Sequence, residues 1–133
     1  MLAAIADTHT VLWYIHRNPL LSSTARQFLN TAAMQQQQVG LSAITLAEIV
    51  YLVEKGRVPP DSLHRLRAEL DTLSSVLAVV PFNRQVADAM PQISRALVPD
   101  MPDRIISATA LYLNIPLISK DAKIRMSGIV TIW

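Results

Sequence analysis

Short runs of apolar residues alternate with longer amphipathic segments along most of this chain. The continuous apolar runs predict five buried strands, at residues 2–6, 39–43, 76–82, 116–119 and 129–133. Apolar residues at helical spacing between these runs predict helices over residues 8–16, 21–38, 44–56, 58–73, 83–97 and 103–114. We expect the helix over 83–97 to bend or break near Pro91, because proline removes a backbone donor.

The order of these elements predicts the fold class. Strands alternate with helices, and the strands are apolar throughout, as is typical of parallel strands covered on both faces. The pattern therefore predicts an α/β fold with a central, mostly parallel five-stranded sheet flanked by helices. No linker or internal repeat interrupts the chain, so residues 1–133 are expected to form a single domain.

Composition narrows the possible chemistry. Hydrophobic residues make up 51% of the chain, and the mean hydropathy is +0.30, so we expect a buried sheet and some apolar surface that a partner covers. The net charge of +2 is compatible with a polyanionic partner without indicating one. The chain has no cysteine, which excludes disulfides, zinc–thiolate sites and cysteine nucleophiles.

Two further classes are not indicated by the sequence. The three glycines form neither a GxGxxG nor a GxxxxGK[ST] motif, so nucleotide-cradling loops are absent. No apolar run reaches about 20 residues, and the apolar start lacks a basic region and is interrupted by Asp7. We therefore expect neither a membrane span nor a signal peptide, and a cytoplasmic location.

The ten acidic residues divide into two groups. Five have an arginine three or four positions away and are predicted to be paired on the surface: Glu54, Asp61, Glu69, Asp71 and Asp88. Five have no such simple explanation: Asp7, Glu48, Asp100, Asp103 and Asp121. The second group supplies the candidates for a chemical site.

Three of these acids have positions that suggest a function. Asp7 and Asp121 follow predicted strands, at the sheet edge where α/β proteins bind ligands, although either could equally cap the next helix. Glu48 lies in a helix that is apolar on nearly all sides and is predicted to be buried. Its carboxylate therefore needs a partner, either a distant arginine or a metal ion.

A divalent cation would explain several acids at one edge. Two carboxylates about 4 Å apart repel by roughly 4 kcal/mol at an effective dielectric constant near 20. Oxygen ligands without cysteine suit Mg²⁺ or Mn²⁺. The three histidines are dispersed along the chain, which argues against zinc.

Four acid-bearing segments, "ADTHTVLW", "LSAITLAEI", "DRIISATAL" and "PLISKDAKI", followed by "VTIW", resemble the PIN domain, and most narrowly the VapC-type toxins of bacterial toxin–antitoxin pairs. The resemblance implies a Mg²⁺- or Mn²⁺-dependent ribonuclease whose catalytic, metal-binding residues are Asp7, Glu48, Asp103 and Asp121. It also implies a cognate antitoxin, an RNA substrate and a homodimer or higher homo-oligomer. Relatives often read Asp-Pro-x-Asp-Arg where this chain has "DMPDR", which affects Asp100 more than Asp103.

Residues beside the acids are weaker candidates. Thr8 and Ser119 could hydrogen-bond a carboxylate or a metal-bound water, or could simply cap a helix or end a strand. Asp100 could be a loop or capping residue, or an outer acid of the same site. Four basic residues could contact RNA phosphates or be ordinary surface: Arg104, Lys120, Lys123 and Arg125.

Two alternatives use the same acids. A non-catalytic Mg²⁺-binding interaction module would bind metal without turning over RNA. "DTHT" resembles the Asp-x-Asp-x-Thr opening of haloacid-dehalogenase phosphatases, but His9 stands where the second aspartate is required. That second alternative is the weaker one.

Overall fold

The computed structural model describes residues 1–133, with five strands and seven α-helices. The strands are β1 (Leu2–Ala6), β2 (Gln38–Ser42), β3 (Leu77–Val80), β4 (Leu117–Ile118) and β5 (Thr131–Ile132). The helices are α1 (Thr8–Ile15), α2 (Ser23–Met34), α3 (Ala43–Glu54), α4 (Ser62–Leu70), α5 (Arg84–Ala89), α6 (Met101–Leu113) and α7 (Ala122–Met126). A 3₁₀ turn, Met90–Gln92, follows α5.

The five strands form one sheet in the order β3-β2-β1-β4-β5, and every neighbouring pair is parallel. The predicted α/β fold with a parallel five-stranded sheet is therefore confirmed. After β1 the chain winds outward to β2 and β3, and it then returns to the other side of β1 to form β4 and β5. Because all strands run the same way, their carboxyl ends lie along one edge of the sheet, called here the carboxyl edge.

Side chains alternate between the two faces of the sheet and build two cores. On β1, Ala4 and Ala6 belong to the core that includes residues of α1, α2, α3 and α4, whereas Ile5 belongs to the core with residues of α5, α6 and α7. Gly40 of β2 permits close packing, because an added Cβ would lie 2.8 Å from Ile5 Cδ1 and 2.7 Å from Val80 Cγ2. The sheet is thus covered on both faces, which explains its continuously apolar strands.

One predicted helix start is revised by capping, and one short helix was not predicted. Helix α6 begins at Met101 rather than at Asp103, because the Asp100 carboxylate accepts a hydrogen bond from the Asp103 backbone N–H at 3.2 Å. Helix α7 was not predicted, since five residues are too few to show a helical period. The predicted break near Pro91 is confirmed: α5 ends at Ala89 and the 3₁₀ turn contains Pro91.

Helix α3 is not buried on all sides, contrary to the prediction. Thr45 and Ile49 are buried, but the side chains of Val50 and Tyr51 are 37% and 65% exposed. The helix ends near Gly56, whose φ of +68° is strained for any residue with a side chain. None of the seven α-helices is long and apolar enough to cross a bilayer.

Candidate active site

Asp7 lies at the carboxyl edge, at the point where β1 meets β4. Its backbone N–H donates to the Ile118 carbonyl at 3.1 Å, and its Oδ1 caps α1 by accepting from the Thr10 N–H at 2.9 Å and the Thr10 hydroxyl at 2.7 Å. No protein group donates to Oδ2. Capping and a role in a site are therefore compatible, because each uses a different oxygen of a nearly buried carboxylate.

The carboxylate of Glu48 is held from the neighbouring helix. The Thr8 hydroxyl donates to Glu48 Oε1 and lies 3.1 Å from the Thr45 hydroxyl, and both threonines are buried. No arginine or lysine pairs with Glu48, so the alternative of a distant arginine is not observed. Burial raises the pKa of Glu48, as does the charge of Asp100, while the Thr8 hydrogen bond works in the opposite direction.

Asp103 is the carboxylate that its surroundings disturb most. It is half-buried on the first turn of α6, and its carboxylate accepts no hydrogen bond and forms no ion pair. Burial and the charges of the other four candidate acids together raise its pKa to about 7; these acids are Asp100, Glu48, Asp121 and Asp7. Acids from distant parts of the sequence thus act on one another at this edge.

Asp121 approaches the same edge from β4. The buried Ser119 hydroxyl accepts from the Asp121 N–H at 3.1 Å, and Asp121 Oδ1 caps α7 by accepting from the Lys123 N–H at 2.8 Å. Arg125 Nε donates to the Thr131 hydroxyl at 2.9 Å, and it forms no ion pair with Asp121. Because β1 and β4 flank the place where the winding reverses, Asp7 and Asp121 lie where open α/β sheets bind ligands.

The four basic candidates differ in their surroundings. Lys120, Lys123 and Arg125 are exposed beside Asp121. Arg104 is turned inward instead, and its Nη2 donates to the carbonyls of Met90 at 2.9 Å and Ile93 at 3.2 Å. In this arrangement Arg104 fixes the segment around the 3₁₀ turn to α6, and reaching a phosphate would require it to leave those carbonyls.

The polar groups at this edge are carboxylate and hydroxyl oxygens, whose chemistry would suit Mg²⁺ or Mn²⁺ better than softer metals. The fit is electrostatic, because no lysine or arginine forms an ion pair with any of the five acids. As the side chains stand, no three histidine, aspartate or glutamate side chains converge on a single ion position. Shared ligation would need side-chain rotation or bridging water.

Two supporting residues were not singled out from the sequence. Thr10 fixes the Asp7 carboxylate, and its spacing of three residues from an N-cap aspartate is a usable signal. Thr45 supports Thr8 across 37 positions of sequence, and no local pattern could indicate that contact.

The sequence and the fold of this chain are both similar to those of known proteins. A VapC ribonuclease of Pyrococcus furiosus is 33% identical over 63 residues, which are 44% of this chain and 42% of that protein, so the match spans less than half of the relative's length. VapBC2 of Rickettsia felis, bound to a promoter DNA fragment, has a TM-score of 0.73 at 18% identity, covering 98% of this chain and 97% of that chain. DNA-bound VapBC of Salmonella typhimurium has a TM-score of 0.69 at 23% identity, with the same two coverages.

The sequence identities to these two solved structures are low, so the structural matches show the fold alone. The family model for the PIN domain matches residues 4–127, a span that contains the last three residues of β1, all of β2, β3 and β4, and the five candidate acids. The chain therefore belongs to the PIN domain family.

Proposed function

We propose that residues 1–133 form one PIN domain that acts in the cytoplasm as a Mg²⁺- or Mn²⁺-dependent endoribonuclease, the VapC-type toxin of a toxin–antitoxin pair. One observation carries the proposal: four acids from separate elements lie near the carboxyl edge, where the charges of three raise the pKa of the fourth, Asp103, and none has a basic partner. They are Asp7, Glu48, Asp103 and Asp121. The 33% identity to a VapC ribonuclease supports the choice of RNA over other phosphodiesters.

The four acids would hold the ion. A bound divalent cation lowers the pKa of a water and neutralises charge that develops on the phosphodiester in an in-line displacement. Asp7 would contribute Oδ2, because Thr10 occupies Oδ1, and Glu48 would contribute Oε2, because Thr8 occupies Oε1. Two of the carboxylates are thus oriented before any ligand arrives, which reduces the cost of organising the site.

Asp103 and Asp100 have different parts in this proposal. Asp103 Oδ1 and Oδ2 have no protein donors, so both are free to bind. One oxygen of Asp100, Oδ2, caps α6, so we assign Asp100 to fixing that helix and adding negative potential. Ser119 orients the turn that carries Asp121, and Lys120, Lys123 and Arg125 would contact RNA phosphates outside the acids.

The test is cleavage of single-stranded RNA by the purified protein with Mg²⁺, with Mn²⁺ and with EDTA. Cleavage should require the metal and should be lost in Asp7→Asn. Asp88→Asn is the matched control, because Asp88 is exposed and paired with Arg84. Full activity of Asp7→Asn, or equal activity in EDTA, would overturn the proposal. Metal binding with no RNA turnover would identify the non-catalytic module instead.

A homodimer and an antitoxin complete the proposal. Large apolar side chains are exposed, including Tyr51 and Val50 of α3, Tyr112 of α6 and Phe82. The structural neighbours are described as VapBC assemblies, which supports an antitoxin partner for this chain. Light scattering of the free protein should give at least twice the mass of one chain, and a stable monomer at micromolar concentration would contradict the homodimer.

A further inference from the structure

A cleft of about 460 Å³ lies beside α1, between that helix, α3 and the loop that follows α3. Its floor is apolar and includes Leu12 and Leu52. Its polar lining comes from His9, His16, Asn18 and Arg57, with the indole of Trp13 as the one large aromatic ring. No aspartate or glutamate lines the cleft, although Asp7, one of the four proposed metal-binding acids, caps the same helix.

His9 is the lining residue of the cleft that lies nearest in sequence to Asp7 and Thr8. His9 follows Thr8, whose hydroxyl donates to the Glu48 carboxylate, and His9 acts to lower the pKa of Glu48. The imidazole also contacts the indole of Trp13, with ring centroids 5.6 Å apart and planes tilted by 47°. His9 therefore lines the cleft and is adjacent in sequence to Thr8, which holds Glu48.

The chemistry of the lining selects a class of ligand. A π surface, a guanidinium and an acid-free wall complement a planar base joined to a phosphate. A purely apolar segment would leave the donors of Asn18 and Arg57 without partners. His16 is already fixed, since its Nε2 lies 2.8 Å from the Ser62 hydroxyl, so the wall of the cleft is ordered before a ligand binds.

We propose that this cleft is a nucleotide subsite for single-stranded RNA. The base next to the scissile phosphate stacks on the His9 and Trp13 rings, and the following phosphate lies against the Arg57 guanidinium. The inference rests on the proposed ribonuclease function and adds to it a place for one flanking nucleotide. Stacking tolerates any base, so the subsite positions the strand more than it reads its sequence.

Tryptophan fluorescence offers a direct test, because Trp13 and Trp133 are the two tryptophans of the chain. In Trp133→Phe, Trp13 is the sole reporter. We expect a single-stranded RNA hexamer, titrated in EDTA to prevent cleavage, to quench its emission. Arg57→Gln in this background should weaken binding roughly tenfold. Lys55→Gln is the matched control, because it removes the same charge two positions earlier from an exposed residue outside the cleft, and it should change affinity less than about twofold.

The proposal is overturned if RNA does not change Trp13 emission, or if Arg57→Gln and Lys55→Gln weaken binding equally. Emission that responds to a protein partner but not to RNA also overturns it and assigns the cleft to that partner. Cleavage separates this proposal from the previous one. Quenching by RNA without metal-dependent cleavage supports the subsite and removes the nuclease. If Asp7→Asn abolishes cleavage while Arg57→Gln changes neither the KM for RNA nor the quenching, the nuclease proposal stands and the subsite proposal is overturned.

Discussion

Carboxylates in two regions of this molecule have opposite surroundings. At the exposed start of α4, Asp61 Oδ2 lies 2.6 Å from Arg65 Nε, and on the exposed face of α5, Asp88 Oδ2 lies 3.5 Å from Arg84 Nε. At the carboxyl edge, Asp103 has neither an ion pair nor a hydrogen bond to its carboxylate. The Arg65 hydrogen bond holds the pKa of Asp61 below its ordinary value, whereas burial and neighbouring acids raise the pKa of Asp103 to about 7.

The spatial neighbours of a carboxylate affect its pKa more than its position in the sequence does. A surface acid with an arginine one helical turn away is already balanced, and it contributes little beyond solubility. An acid gathered with others at a sheet edge carries uncompensated repulsion that an added cation can relieve. The carboxyl edge, whose repulsion destabilises the metal-free protein, is therefore also the region best suited to bind a cation.

The largest expected effect comes from Asp103→Asn. We expect RNA cleavage to fall at least about a hundredfold, because a proposed metal ligand is lost, while the free energy of unfolding without metal rises by roughly 1 kcal/mol as repulsion is removed. Cleavage assays and denaturant unfolding in EDTA measure the two effects. A variant that is both inactive and less stable would show that Asp103 supports the fold instead.

Thr8→Val should have the next largest effect on catalysis. It keeps the side-chain volume but leaves Glu48 Oε1 without its donor, and we expect roughly a tenfold loss of kcat/KM. Because the lost bond lowers the pKa of Glu48, that pKa should rise further, and the acid limb of the pH–rate profile should move to higher pH. Thr31→Val on the exposed side of α2 is the control, and equal losses in both variants would dismiss the Thr8 role.

Adding a divalent metal should stabilise the protein only through the acids at the carboxyl edge. At a hundred times its dissociation constant, Mn²⁺ or Mg²⁺ should contribute about 2.7 kcal/mol, which raises Tm by roughly 5–10 °C. Asp103→Asn should lose most of this rise and Asp88→Asn none of it. An equal rise in the two variants would place the ion away from the carboxyl edge.

The metal-free protein should become less stable as pH rises from about 4 to about 7. Below the ordinary value of 3.8, Asp103 is neutral in both the folded and unfolded states. Between 3.8 and about 7, the folded state holds a proton that the unfolded state has released, so raising the pH favours unfolding. Urea unfolding in EDTA across this range measures the slope, which Asp103→Asn should flatten; an unchanged slope would assign it to other groups.

The smallest effect on activity and stability is expected for the paired acids on the protein surface. Asp61→Asn removes an exposed carboxylate and its bond to Arg65, and we expect cleavage within twofold of wild type and a Tm change of about 1 °C or less. Differential scanning fluorimetry measures the shift. A large loss of activity would mean that paired surface acids matter to the site as well.

Local patterns predicted most of the fold. All five strands were predicted from apolar runs, because a strand covered on both faces needs apolar residues throughout. The starts of α6 and α7 were not, because capping by Asp100 and Asp121 decides them through single hydrogen bonds. The exposure of Tyr51 could not be predicted from the sequence either, since its helix is apolar on sides that no other element covers.

For the site, the sequence alone identified the acids that lack a nearby basic partner, because helical pairing depends only on spacing along the chain. Which of them meet was a tertiary matter: parallel strand order and the reversal around β1 bring the ends of β1 and β4 together with α3 and α6. The same holds for the inward turn of Arg104 and the contact of Thr8 with Glu48. Such contacts join residues far apart in sequence, and only the packed fold fixes their distance.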